Sequence, residues 1–132
     1  MSDTEAFTNK NILITGASGF IGQALATSLS TIECSLTRSS RDCQKLAPLS
    51  GVASVTDIAI DYTDPDAWKD LANSIDIIFF LAAQTSSTYA NNDPKQDYMD
   101  NVLPLLNLLE SCRKSTALPT LVFASTATVV GL

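Results

Sequence analysis

Three glycines in the run Thr15-Gly16-Ala17-Ser18-Gly19-Phe20-Ile21-Gly22 are the residues best placed to do chemistry in this chain. A main chain stripped of side chains can close on a phosphate. Gly16 permits a tight turn, Gly19 leaves the backbone open to a pyrophosphate, and Gly22 lets a following helix pack close to a preceding strand. Backbone N–H groups around Ser18, Phe20 and Ile21, at the start of that helix, would face the anion, helped by the positive end of the helix dipole. The run therefore reads as a dinucleotide-binding turn. Its spacing, Gly-x-x-Gly-x-x-Gly, departs from the commoner Gly-x-Gly-x-x-Gly, so taken alone it also suits a glycine-rich turn that binds nothing.

The flanking residues favour the first reading. Ile12, Leu13 and Ile14 form a short apolar run suited to a strand covered on both faces. Ala24, Leu25 and Leu29 continue with the one-sided spacing of a helix. Further along, the spacing predicts strands over 34–37, 54–60, 75–81 and 120–124, with a polar turn over 38–41. Asp64-Pro65-Asp66 resembles a helix start, followed by an apolar face of Ala67, Trp68, Leu71 and Ala72. Residues 82–93 read as a polar loop. A long helix is expected over 94–114 with Leu105, Leu108, Leu109 and Cys112 on one side, kinked or broken near Asn101 because Pro104 has no N–H to donate. Strand and helix alternate throughout, which predicts an α/β fold: a doubly wound parallel sheet of about five strands.

Composition narrows the function. The chain has 132 residues, 45% hydrophobic and 17% charged, an ordinary globular balance for one domain. A net charge of -6 opposes a phosphate backbone, so no nucleic-acid partner is expected. The N-terminus has no basic start followed by an apolar segment, and no stretch has the length and apolarity to span a bilayer, so a cytoplasmic protein without a membrane partner is expected. Cys34, Cys43 and Cys112 lack metal-ligand spacing and the chain has no histidine, so they read as reduced thiols and no metal site is expected.

With these elements placed, the chain resembles the extended short-chain dehydrogenase/reductases, in particular the NAD-dependent epimerase/dehydratase branch that acts on nucleotide sugars. The glycine run is similar to that family's motif. Leu81-Ala82-Ala83-Gln84-Thr85-Ser86 resembles its His-x-Ala-Ala segment, with Phe80 where histidine is common. Asp93-Pro94, Asn101-Val102 and Asn107-Leu108-Leu109-Glu110 resemble its next helix. The run from Phe123 to Gly131 resembles the motif around its fifth strand, with Val130 where tyrosine is common.

The resemblance implies roles for individual residues. Asp61, with Tyr62 beside it, would take the adenine amino group, although a carboxylate in such a segment also suits a helix cap, a role that fits Asp64 better. Leu81, Ala82 and Ala83 would let the cofactor lie against backbone beyond a strand's carboxyl end, where open α/β sheets bind ligands; ordinary packing explains two alanines equally well. Asn101 falls in the family's helix motif and joins the cofactor-binding set. Thr126 would hydrogen-bond the reacting sugar oxygen, a role that needs one hydroxyl able to donate and accept. About twenty residues beyond the first glycine, NAD binders place an acid on the ribose. Thr37 stands there instead, followed by Arg38. Arg38, with Ser39, Ser40 and Arg41, would hold a ribose 2'-phosphate, so the cofactor is expected to be NAD or NADP with NADP preferred; a solvated basic turn is the alternative.

In the family the catalytic base is a tyrosine four positions before a lysine, and no such pair occurs in residues 1–132. The expectation is a truncated Rossmann-type NAD(P)-binding domain, inactive alone. It would belong to a nucleotide-sugar epimerase or dehydratase that works by transient hydride transfer, with a homodimer as a further expectation. An NADPH-dependent carbonyl reductase of the same superfamily and a non-catalytic NAD(P)-sensing module are the competing readings. A Tyr-x-x-x-Lys in a following helix would separate enzyme from sensor.

Overall fold

A computed structural model describes residues 4–126 of the chain. Its centre is the strand β1 (Asn11–Thr15). Ile12, Leu13 and Ile14 are fully buried, and because successive side chains of a strand point to opposite faces, they feed two separate cores. Ile12 and Ile14 pack with Ala26 and Leu29 of helix α1 (Phe20–Leu29) and with Leu36 of strand β2 (Ser35–Ser40). Leu13 packs on the other face with Trp68, Ile78, Phe80 and Leu108.

The remaining strands are β3 (Ser54–Ala59), β4 (Ile77–Phe80) and β5 (Thr120–Phe123). All pairings are parallel, in the order β3-β2-β1-β4-β5. The chain thus builds outward from β1 through β2 to β3, then returns to the other side of β1. That reversal leaves a crevice between the ends of β1 and β4, where such sheets bind ligands. The expected doubly wound sheet is present.

The helical layer of the second face breaks near Asn101 as expected, and otherwise differs from its sequence expectation in three ways. Asp64 caps a short 3-10 turn (Pro65–Trp68), its carboxylate accepting from Asp66 N at 2.9 Å, and helix α2 (Leu71–Ser74) follows as a separate single turn. The expected polar loop carries helix α3 (Ser87–Asn92), capped by Ser86, whose hydroxyl accepts from Tyr89 N. The helical pattern over 94–114 breaks at Val102 into α4 (Pro94–Asn101) and α5 (Leu103–Lys114), as the proline requires. On α5, Leu105, Leu108 and Cys112 face the core, but Leu109 is exposed. Leu109 lies about 100° around the helix from Leu108 and about 40° beyond Leu105, at the solvent edge of the buried stripe.

Strand β2 is the larger correction. It runs to Ser40, three residues beyond the expected end, so Arg38 is a buried strand residue and not part of a solvated turn. The buried polar side chains of this strand, Arg38, Ser39 and Ser40, are tolerated because each is paired. Arg38 forks onto Asp57 of β3, Nε to Oδ1 and Nη2 to Oδ2 both at 2.7 Å, while Nη1 donates to the Ala47 carbonyl at 2.8 Å. Ser39 Oγ donates to the Ile14 carbonyl at 3.2 Å. Among the described residues no helix is long and apolar enough to cross a membrane. Cys34, Cys43 and Cys112 are free thiols, and burial raises the pKa of Cys34 and Cys112.

Candidate dinucleotide site

The turn between β1 and α1 is shaped by contacts that side chains at the glycines would prevent. Gly16 adopts φ 65°, in the left-handed region, and a Cβ there would lie 2.8 Å from Ala82 Cα. At Gly22 a Cβ would come within 2.5 Å of the Gly16 carbonyl oxygen, so the absent side chain is what lets α1 sit against the turn. A Cβ on Gly19 meets only the Gly16 oxygen, at 3.2 Å. Gly19 borders an open cavity instead, in the place where a side chain would compete with a ligand. The first ladder bond of α1 runs from Gln23 N to Gly19 O at 2.9 Å, so the amides of Phe20, Ile21 and Gly22 precede the ladder. No acidic side chain stands in that first turn.

The turn is tied to three neighbouring segments. Thr15 Oγ1 accepts from Leu81 N at 3.0 Å and Ala82 N at 3.1 Å, which fixes the loop after β4 against the end of β1. Ser18 and Ser40 share a hydroxyl hydrogen bond of 3.0 Å, joining the turn to the end of β2. Gly16 N donates to the Tyr62 hydroxyl at 3.0 Å.

These segments enclose a cavity of about 680 Å³ at the carboxyl ends of the strands, within the size range of small-molecule and cofactor sites. The glycine turn contributes Gly16, Ser18 and Gly19, and the loop after β4 contributes Leu81, Ala82, Ala83 and Gln84. Asp61, Tyr62 and Thr63 line it beyond β3, Ser40 and Arg41 beyond β2, and Gln96, Asp100 and Pro104 from α4 and α5. Asp61 Oδ1 accepts from Thr63 Oγ1 at 2.7 Å and from Thr63 N at 2.9 Å. Those two bonds, the hydroxyl first, hold the Asp61 carboxyl below the usual aspartate range, so it is ionised and has its second oxygen left to accept.

Of the residues singled out from sequence, Gly16, Ser18, Gly19, Asp61, Tyr62, Leu81, Ala82 and Ala83 meet at this cavity. Phe20 and Ile21 do not line it: their side chains are 93% and 62% exposed, and only their backbone belongs to the turn. Gly22 serves the helix contact. Arg38 is engaged with Asp57 and Ala47, so it is not the ligand of a ribose phosphate; Arg41, at the true end of β2, lines the cavity in its place. Asn101 also has another task. Its Oδ1 accepts from Gln84 N at 2.7 Å and its Nδ2 donates to Gln84 O at 3.0 Å, clamping the loop after β4 to α4 without itself lining the cavity. Thr126 is exposed beyond β5 and is not among the cavity residues, and the stretch from Ala127 to Gly131 lies outside the described residues. Gln96, Asp100 and Pro104 were not singled out beforehand. The spacing of four residues that puts Gln96 and Asp100 on one side of α4 was the available signal, and Pro104 joins them from the first turn of α5.

A parallel sheet that reverses at β1, with a glycine turn entering a helix at the reversal, defines the Rossmann class of dinucleotide-binding fold. Residues 12–132 match the NAD dependent epimerase/dehydratase family, and the chain belongs to it. Among curated relatives, the chain is 29% identical to UDP-glucuronate 4-epimerase 1 of Arabidopsis thaliana over 92% of its own length and 31% of that protein. It is 30% identical to D-erythronate dehydrogenase of Haemophilus influenzae, over 91% of its length and 39% of the relative. The chain therefore spans about a third of the curated relatives it matches. Two solved structures share the fold. They are WbmF of Bordetella bronchiseptica in complex with NAD+ (TM-score 0.80, 20% identity, 93% of this chain and 38% of that one), and a UDP-N-acetylglucosamine 4-epimerase of Methanobrevibacter ruminantium in complex with UDP-N-acetylmuramic acid (TM-score 0.81, 24% identity, 95% and 40%).

Proposed function

We propose that this chain is the NAD(P)-holding portion of a nucleotide-sugar epimerase or dehydratase. The observation that carries the reading is the single cavity in which an open glycine turn, an ionised Asp61 and the small residues Ala82 and Ala83 converge. The turn's amides would hold the pyrophosphate, Asp61 would accept from the adenine amino group, and the alanines would let the cofactor lie against the strand end. When bound, the nicotinamide supplies hydride acceptance from a sugar carbon and its return. Within this reading Thr126 is the hydroxyl that bonds the reacting sugar oxygen. The free thiols suit a reducing compartment, so we place the protein in the cytoplasm. Titration calorimetry with NAD and NADP tests the assignment: we expect binding that Gly19→Val abolishes, and unchanged affinity in that variant would remove the turn from the site.

One observation favours NADP as the form held, and with it the carbonyl-reductase alternative. Arg41 lines the cavity at the end of β2, where the fold places the adenine ribose, and it forms no ion pair with another described residue. A guanidinium there suits a 2'-phosphate. NADP is then expected to bind more tightly than NAD, and Arg41→Ala to erase the difference while sparing NAD; equal affinities in the unsubstituted chain would reject the preference. No Tyr-x-x-x-Lys pair occurs in the 132 residues, so we expect cofactor binding by this chain alone without turnover of nucleotide sugars. Product formation abolished by Thr126→Ala would overturn that expectation.

A further inference from the structure

Gly16 directs its N–H onto the phenol of Tyr62, and the partners of that phenol fix the direction of every proton. The amide can only donate, so Tyr62 Oη accepts it at 3.0 Å. At the far end the Ile14 carbonyl can only accept, so Ser39 Oγ donates to it at 3.2 Å. The 3.1 Å contact between Tyr62 Oη and Ser39 Oγ is then a bond from tyrosine to serine. A single polar chain runs from the turn through Tyr62 and Ser39 back to β1, with no spare proton.

The phenol has little freedom to leave this place. Tyr62 is 8% exposed and its ring stacks on Trp68, centroids 5.7 Å apart. Trp68 Nε1 donates to the Tyr62 carbonyl at 3.1 Å, and Asn107 Nδ2 donates to the next carbonyl, that of Thr63, at 2.9 Å. The residue before Tyr62 is Asp61, on the same cavity wall. Its neighbours therefore hold the hydroxyl in place independently of any ligand.

We propose that Tyr62 is a positioning residue for the dinucleotide: its hydroxyl sets the left-handed turn at Gly16 before the ligand arrives, so that the amides after it already face the pyrophosphate. This rests on the dinucleotide reading above. Ordering the turn in advance removes a cost that binding would otherwise carry. Replacing the acceptor by hydrogen leaves a partly buried N–H unpaired or lets the turn relax, at a cost of about tenfold in affinity for a ligand that uses the turn. A ligand that uses only the adenine side should not notice.

The test compares the unsubstituted chain with Tyr62→Phe, which keeps the ring and its stack. Trp68 is the sole tryptophan and lies against that ring, so its emission reports that the local packing is intact. We expect the NAD dissociation constant to rise about tenfold while that of adenosine, which lacks the pyrophosphate, stays the same. In the unliganded 15N-labelled chain the Gly16 amide should be protected from exchange, and the substitution should abolish the protection. NAD affinity within about twofold of the original, an equal loss for adenosine and NAD, or an unprotected Gly16 amide in the unsubstituted chain would each overturn the proposal. The last measurement decides it even if the variant fails to fold. Failure of the unsubstituted chain to bind NAD or NADP would overturn the dinucleotide reading and this inference together, whereas binding without the expected contrast overturns the inference alone.

Discussion

At the scale of single residues, the glycines of the turn divide into one whose missing side chain leaves the cavity open and two whose missing side chains make room for the protein's own backbone, and substitution should separate them. Gly22→Ala forces a Cβ to within 2.5 Å of the Gly16 carbonyl, a backbone atom that cannot swing aside. We expect it to destabilise the fold by about 3 kcal/mol, the upper end of overpacking costs, in urea unfolding. Gly19→Val should lose cofactor binding with a much smaller change in stability, because only one contact, at 3.2 Å, opposes its Cβ. Asp61 offers a second residue-scale measurement. Its folded-state pKa is lowered by the Thr63 hydroxyl and amide, so any stability it contributes is present above the unfolded-state value and is lost as pH falls through the lowered folded one. An NMR titration of the carboxyl should show a midpoint below the ordinary aspartate value, and Thr63→Val should move it back up. An unchanged midpoint in that variant would leave the backbone bond as the cause. The three glycines were legible in the sequence because their spacing is itself the signal, whereas the Tyr62 and Asn101 bonds reach across 46 and 17 residues and leave no local pattern.

Elements were legible where a single periodicity governs them and illegible where pairing across strands overrides it. Ile12, Leu13 and Ile14 announce a buried strand by composition, and Pro104 announces the break between α4 and α5. The end of β2 carries the opposite message. Arg38, Ser39 and Ser40 look like a polar turn, yet all three are buried, because Asp57, Ile14 and Ser18 supply partners that only the folded sheet brings near. The displacement matters for the site, since it moves the residue at the strand's end from Thr37 to Ser40 and the arginine facing the cavity from Arg38 to Arg41. The two arginines should therefore behave as opposites. Asp57 is about one-third exposed, so water would partly compensate it, and Arg38→Ala is expected to cost roughly 2 kcal/mol of stability, below the range for a fully buried pair. That variant should leave the NADP-to-NAD affinity ratio untouched. Arg41→Ala should change the ratio and leave thermal stability alone; a shift of the ratio in the Arg38 variant would return that residue to the site.

For the molecule as a whole, the surface poses a question about self-association that the sheet does not. Tyr98, Val102, Leu106 and Leu109 recur at intervals of four, four and three residues along α4 and α5, and each is 46–53% exposed. Spacing of that kind lines up side chains on one side of a helix, Tyr98 and Val102 at the end of α4 and Leu106 and Leu109 on α5, and exposed apolar side chains so placed suit a partner surface. A second copy of the chain is the partner that the homodimer expected from the sequence would require. The net charge of -6 works against it, because two copies at contact repel through a field that salt shortens to about 8 Å at physiological ionic strength. The sign of the salt effect follows: association should strengthen as salt rises, opposite to what an interface built on complementary ion pairs would show. Sedimentation equilibrium at low and physiological ionic strength reads this directly. We expect a dimer that tightens with salt and that Leu106→Glu disperses, since the substitution sets a carboxylate in the middle of the stripe. Neither change should alter NAD affinity, because Leu106 is not among the cavity-lining residues. A chain that stays monomeric at both ionic strengths, or a dimer indifferent to Leu106→Glu, would reject this stripe as the interface.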